Sequence, residues 1–256
     1  MLAPSDLSRS GGAAGQVDTS QVLVWVDSAG VALPNRSITL ALEGVDQAGQ
    51  SADSAYGHWH TGAGGAAKPV GSLGATTVNT GTSGIAAVWY RAGRVSGPVV
   101  LHATSDGAEP AQDTVLVGVT GLQALEQRQS DTLIGQTTIH PINHYGILTM
   151  TTGLDALADS LHERFNDTLY INDMSLPFGG VFDIDANWTR DHNEHRAGRD
   201  ADIRTNGAGG LTLEERTYVW DLWERLGGTV HDETKNKDGT PNTTSPHYHL
   251  RYRDPE

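Results

Sequence analysis

The chain has 256 residues, 17 basic and 31 acidic side chains, a net charge of −14, and no cysteine. The length suits one large or two ordinary domains with a proper core. The missing cysteines exclude a disulfide scaffold, thiolate-held zinc, iron–sulfur centres and a thiol nucleophile. The acidic balance argues against nucleic acid or anionic lipid as a partner. No apolar run is long enough to span a membrane. Residues 1–16 lack the basic start and apolar run of a signal peptide and read as a flexible segment.

Residues 17–120 read as short strands. Val22, Val24 and Val26 alternate before the turn Asp27-Ser28-Ala29-Gly30, and Ile38, Leu40 and Leu42 alternate before Glu43-Gly44. Residues 86–90, 99–103 and 114–119 continue the rhythm, each bounded by Gly, Ser or Asp. Period-2 runs with turn signals between them predict an antiparallel β-sandwich. Residues 57–84, rich in Gly, Ser and Thr, read as a long loop with at most one weak strand. Residues 121–136 read as a linker.

From residue 137 to 256 the pattern mixes types. Leu154, Leu157, Leu161 and Phe165 have helical spacing. A second helix is predicted from Thr212, with Glu215 completing a capping box, to Gly227-Gly228, turning Val219, Leu222, Trp223 and Leu226 inward. Strands are predicted at 168–172, 201–204, 229–231 and 247–253. Together these give an α+β domain with a small antiparallel sheet. Eight of the 11 histidines lie in residues 121–256, with 22 acids against 12 bases, so this half carries the titratable chemistry.

Two short motifs stand out. The first is His195-Arg-Ala-Gly198-Arg-Asp200-Ala-Asp202, and the second is His247-Tyr-His249. Without thiolates, zinc takes imidazole and carboxylate, and a catalytic site uses three protein ligands and one open position. Residues two apart on a strand share a face, so His247 and His249 reach one site together, and Asp200 and Asp202 likewise. Spacing alone leaves open which aspartate binds metal. Gly198 permits the turn between His195 and the following strand.

H-x-x-G-x-x-x-D followed by H-x-H resembles the zinc peptidases that cut bacterial cell-wall peptides. These are penicillin-insensitive murein endopeptidases, D-alanyl-D-alanine carboxypeptidases and dipeptidases, and lysostaphin-type enzymes. The H-x-H ending is most similar to the murein endopeptidase pattern. The resemblance implies His195, Asp202 and His249 as ligands of one zinc ion per chain and His247 as the catalytic histidine beside a metal-activated water. It also implies a peptidoglycan or D-amino-acid peptide as substrate, endopeptidase over carboxypeptidase action, and an extracytoplasmic location. Many relatives have Ser before the first His, where this chain has Glu194. The first domain resembles bacterial immunoglobulin-like domains of surface proteins, on TGTSGIAAVWYRAG and VVLHATSDG. A binding or adhesion protein with a structural or vestigial metal site is the alternative.

Around the motifs, Arg190, Arg196, Arg199 and Arg204 are expected either to meet substrate carboxylates or to pair with Asp191, Glu194 and Asp200. Asn172, Asp173 and Ser175 read as a strand leading into a substrate-facing loop. His192 is expected behind the ligands or as an alternative ligand, and Asp200 behind them. His140 and His144 read as hydrogen-bonded loop histidines, and His58 and His60 as a surface or domain-interface pair. Asp183, Asp185, Asn187, Thr189, Asp191 and Glu194 have calcium-loop spacing, but Trp188 stands where that loop needs Gly. No G-x-S-x-G elbow is present.

Overall fold

The computed structural model describes residues 1–4, 17–45, 58, 60, 62–189, 192, 194–236 and 239–252. The chain is mostly β, with several sheets and two α-helices among the described residues. It divides into two compact units: residues 1–120 with 185–189, and residues 121–184 with 190–256.

The first unit carries β1 (Thr19–Trp25), β2 (Asp27–Ser28), β3 (Val31–Ala32), β4 (Ser37–Gly44), β5 (Ser72–Leu73), β6 (Thr77–Asn79), β7 (Ile85–Arg91), β8 (Gly97–Thr104) and β9 (Ala111–Val117). One sheet has the order β1-β7-β5 and another β6-β4-β8-β9, with β2 and β3 forming a small hairpin. Alternation decides the core. Val24 and Val26 meet Ala86 and Val88 from one sheet and Ile38 and Leu40 from the other in one buried cluster. The expected loop at 57–84 supplies two paired strands, β5 and β6, and a short 3₁₀ turn at Ala63–Gly65. The flexible segment expected at 1–16 is corrected at its start. Leu2 and Ala3 are buried, and Leu2 donates to the Leu116 carbonyl in a bridge to β9, because Leu2 completes the cluster around Tyr90 and Val117. Residues 5–16 lie outside the described residues.

The second unit begins where a linker was expected. β10 (Leu122–Ala124) pairs with β12 (Tyr145–Ile147), and β11 (Asp131–Leu133) joins the main sheet, while Leu125 sits in the core. That sheet has the order β11-β13-β14-β16-β15, with β13 (Leu169–Ile171), β14 (Asp200–Arg204), β15 (Thr229–Asp232) and β16 (His247–Arg251). It is antiparallel except for the parallel β11–β13 pair. Arg253, at the end of the last predicted strand, lies outside the described residues.

Two helices cover one sheet face. In α1 (Leu148–Phe165), Met150, Leu154, Leu157, Ala158 and Leu161 are fully buried in one stripe. The helix stops at Asn166, whose left-handed φ of 55° suits Asn. In α2 (Leu213–Arg225), Val219 and Trp223 are the inward residues. Leu222 is partly buried, and Leu226, expected inward, lies past the helix end and is exposed. A side chain at Gly228 would run into the Trp223 indole, so glycine is required where the chain folds back. No helix among the described residues is long and apolar enough to cross a membrane.

The capping box at Thr212 is present. The Glu215 N–H donates to Thr212 Oγ1 at 3.3 Å, and the Thr212 N–H donates to the Glu215 carboxylate at 2.7 Å. Thr212→Ala is therefore expected to cost about 1 kcal/mol, read as a lowered midpoint in urea unfolding with an unchanged slope.

Candidate metal centre

The sheet's two faces divide the chemistry. Ala201 and Ile203 on β14, and Tyr248 and Leu250 on β16, turn into the helix-covered core. The alternate residues, Asp200 and Asp202, and His247, His249 and Arg251, turn to the other face. The β14–β16 register sets Asp202 opposite His249, Asp200 opposite Arg251, and Arg204 opposite His247. His195 enters from a 3₁₀ turn, His195–Ala197, that ends on Gly198 at φ 69°. A Cβ on Gly198 would strike Leu122 and crowd Gly146, and the Gly198 carbonyl accepts the Ile147 N–H at 2.9 Å. The glycine therefore permits both the tight turn and its close seat against β12.

Asp202 is the hub. His195 Nε2 lies 3.3 Å and His247 Nε2 3.5 Å from Asp202 Oδ2, while His249 Nδ1 lies 2.8 Å from Oδ1. The donor atoms of Asp202, His247 and His249 fall within 4.8 Å of one another, and so do those of His192, His195 and Asp202. His247 Nδ1 faces the Ser245 carbonyl at 2.8 Å, and His195 Nδ1 faces the Asp200 carbonyl at 3.4 Å. A carbonyl only accepts, so each Nδ1 carries its hydrogen and each Nε2 is directed at Asp202. That arrangement suits ligation at Nε2. His249 Nε2 meets Asp200 at 2.9 Å, and Arg251 donates to the same carboxylate oxygen. Asp200 thus backs His249, and Arg251 neutralises Asp200. The imidazole and carboxylate donors gathered here fit a metal ion.

The electrostatics follow from this crowding. Burial alone would raise the Asp202 pKa, but the charge and hydrogen bond of His195 and the hydrogen bond of His249 hold it well below the usual carboxylate range. Burial alone would lower His249, yet its bonds to Asp200 and Asp202 push it up to about 10. His195 is also raised, because Asp202 outweighs its burial. Burial pushes Asp173 up to about 6 against the opposing charge of His195.

The other expected residues have varied placements. His192 is half-buried and stacks on Phe182, with ring centres 4.8 Å apart, and its ring lies 5.4 Å from His195. Asn172 and Asp173 act through their backbone: the Asn172 N–H donates to the Asp202 carbonyl at 2.7 Å, and the Asp202 N–H to the Asp173 carbonyl at 2.9 Å. The Asp173 carboxylate accepts from Asn143 at 2.7 Å. Ser175, expected in a substrate-facing loop, is instead fully buried, because its N–H and C=O pair with Tyr145 and its neighbours Met174 and Leu176 are core residues. Arg196 is buried within the 3₁₀ turn, and its carbonyl accepts the Gly180 N–H. Arg199 is half-buried, Arg204 donates to the Ala208 carbonyl, and Arg190 lies outside the described residues. Glu194 sits 3.7 Å from Arg251.

Among the remaining histidines, His140 Nε2 lies 2.6 Å from the Asp183 carbonyl, and His144 Nε2 3.2 Å from that of Ile171. In the first unit, His58 is buried, and His60 stacks on Trp188 with ring centres 4.5 Å apart.

Three contributors were missed: Asp173 as an acid held near neutrality, Arg251, and Glu233. The Glu233 carboxylate lies 3.4 Å from His247 Nε2, and its N–H donates to the His247 carbonyl at 3.1 Å. The available signal was the continued alternation His231-x-Glu233 beside the H-x-H strand.

These shifts give a signed pH dependence. In the metal-free protein the His249 contribution to stability is fully present below the ordinary imidazole value and is lost as pH rises through about 10. A metal ion must displace that proton, so its affinity rises with pH over the same window. Zinc binding at pH 7 should release at least one proton per ion, read from the dependence of calorimetric heat on buffer ionisation enthalpy; zero release contradicts the site.

No protein-family model matches the chain, and no curated protein matches it. Among solved structures, the D0-D1 domain of Intimin is similar over 53% of this chain and 54% of its own, at 15% identity and a TM-score of 0.30. The match spans about half of either chain.

Proposed function

We propose that the chain is a zinc-dependent peptidase that hydrolyses peptide bonds in bacterial peptidoglycan stem peptides or cross-links, with endopeptidase action favoured, working outside the cytoplasm. In this reading the second unit is a peptidase domain of the murein endopeptidase kind, and the first is an immunoglobulin-like sandwich that positions it on the wall. The supporting observation is the approach of three imidazoles to one carboxylate: His195 Nε2 and His247 Nε2 lie 3.3 and 3.5 Å, and His249 Nδ1 2.8 Å, from Asp202 oxygens.

His195, Asp202 and His249 would hold the zinc. Imidazole and carboxylate are donors that zinc accepts, and they are what a chain without thiolates offers it. Bound zinc would polarise a scissile carbonyl and acidify a water molecule. The chain's own groups supply the rest. Asp200 and Arg251 keep the His249 ring in place. His247, anchored at Nδ1 by Ser245, presents Nε2 to accept a proton from the attacking water or to stabilise a developing oxyanion.

Incubation with cross-linked muropeptides, followed by chromatography and mass spectrometry, tests the proposal. Wild-type protein is expected to hold about one zinc per chain and to cleave. His247→Ala is expected to keep the zinc and lose the cleavage, typically by at least about 100-fold for a proton-transfer group. His249→Ala is expected to lose both. A zinc-loaded wild type that leaves every wall peptide intact would instead favour a binding protein with a structural metal.

A further inference from the structure

The outer face of the β1-β7-β5 sheet departs from the usual polar-out pattern. β7 alternates strictly, with Ala86, Val88 and Tyr90 turned inward and Ile85, Ala87 and Trp89 outward. On that outer face Leu23, Trp25, Ile85 and Trp89 are 54%, 56%, 46% and 58% exposed. Register places Trp25 opposite Ile85, Leu23 opposite Ala87, and Gln21 opposite Trp89. The two indoles therefore stand four residues apart along adjacent strands, about 14 Å at the rise of an antiparallel strand.

The ground around them is low. Ala87 lies between the two indoles. Beside Trp89 is Gly74, whose N–H donates to the Trp89 carbonyl at 2.7 Å; a Cβ there would be 3.8 Å from that of Trp89. Thr19, Gln21 and Ser72 add neutral hydrogen-bonding groups at the Trp89 end, and Arg91 is paired with Asp18 at 3.1 Å. In a chain of net charge −14, the outward residues of β1, β5 and β7 are not acidic, and the Asp18 carboxylate at the strip's end is paired with Arg91.

An exposed patch of this kind marks a binding surface. Its size argues against a second copy of the chain. Four half-exposed apolar side chains offer on the order of 400 Å², where a stable dimer buries about 800 Å² per partner. What fits a flat neutral strip with separated indoles is an extended, uncharged chain whose repeating units have one apolar face and polar edges. A pyranose ring has that form: its axial C–H groups stack on an indole while its hydroxyl and acetamido groups reach sideways to side chains such as Gln21, Thr19 and Ser72.

We propose that this face binds a polysaccharide strand of N-acetylated pyranose units, with Trp25 and Trp89 as the stacking rings. The choice of an N-acetylated sugar rests on the wall-peptidase reading. The aromatic strip itself does not.

The test titrates the full-length protein with chitohexaose, following tryptophan fluorescence and calorimetric heat. Saturable binding is expected. Trp25→Ala and Trp89→Ala should each weaken it about three- to tenfold, and Trp89→Phe less than Trp89→Ala. Leu213→Ser, which removes an exposed apolar side chain of the second unit, should not change it. Thermal unfolding midpoints confirm that the variants are folded. Absent binding by wild type, or unchanged binding in the double alanine variant, overturns the proposal. So does a wild-type dimer in sedimentation that the double variant dissociates. Zinc content and muropeptide cleavage, measured on the same samples, separate the two proposals: sugar binding lost with cleavage intact removes only the platform, and cleavage absent with sugar binding intact removes only the peptidase.

Discussion

The pairing of β14 with β16 is the constraint on which the rest of the candidate site depends. Both strands alternate, and the alternation sorts Ala201, Ile203, Tyr248 and Leu250 under the helices while Asp200, Asp202, His247, His249 and Arg251 share the other face. A slip of one residue would move every one of these side chains to the wrong face. The slip is opposed by the apolar half of the pattern, since it would expose Ile203 and Leu250 and bury charges among leucines. The hydrophobic core thus fixes the geometry of the polar face without touching it. The backbone bonds of Asp202 to Asn172 and Asp173 add a second fixed edge.

Such a face is costly to bury unless its charges compensate one another. They do so in a chain of contacts. Arg251 meets Asp200, Asp200 meets His249, His249 meets Asp202, and Asp202 meets His195 and His247. The proton held on His249 in the metal-free protein occupies the electrostatic role that a cation would take. That explains how a cluster suited to a metal ion is also a stable arrangement of acid and base. Glu233 extends the chain at the solvent side of His247.

Much of this was legible in the sequence where the signal is local. The capping box at Thr212 and Glu215, the leucine stripe of α1 and the alternating runs of β1, β4 and β7 depend on residues a few positions apart, and each is found near its expected position. The two motifs named the histidines and aspartates that do come together. What escaped depends on pairing between distant segments. Residues 121–136 read as a linker because β10 and β11 are three residues each and gain their place only from β12 and β13. Ser175 is polar and lies beside Pro and Gly, so it read as a loop residue, yet bridging to Tyr145 buries it. Glu233 and Arg251 become part of the site only once the register across β14, β15 and β16 is known.

X-ray absorption at the zinc edge of the purified protein tests the central claim most directly, that β14, β16 and the turn at His195 build one metal centre from imidazole and carboxylate. The account predicts a nitrogen and oxygen shell at about 2.0–2.1 Å with imidazole scattering behind it, lost together with the bound zinc in Asp202→Ala. A protein that binds no zinc, or holds it undiminished in Asp202→Ala, would contradict it.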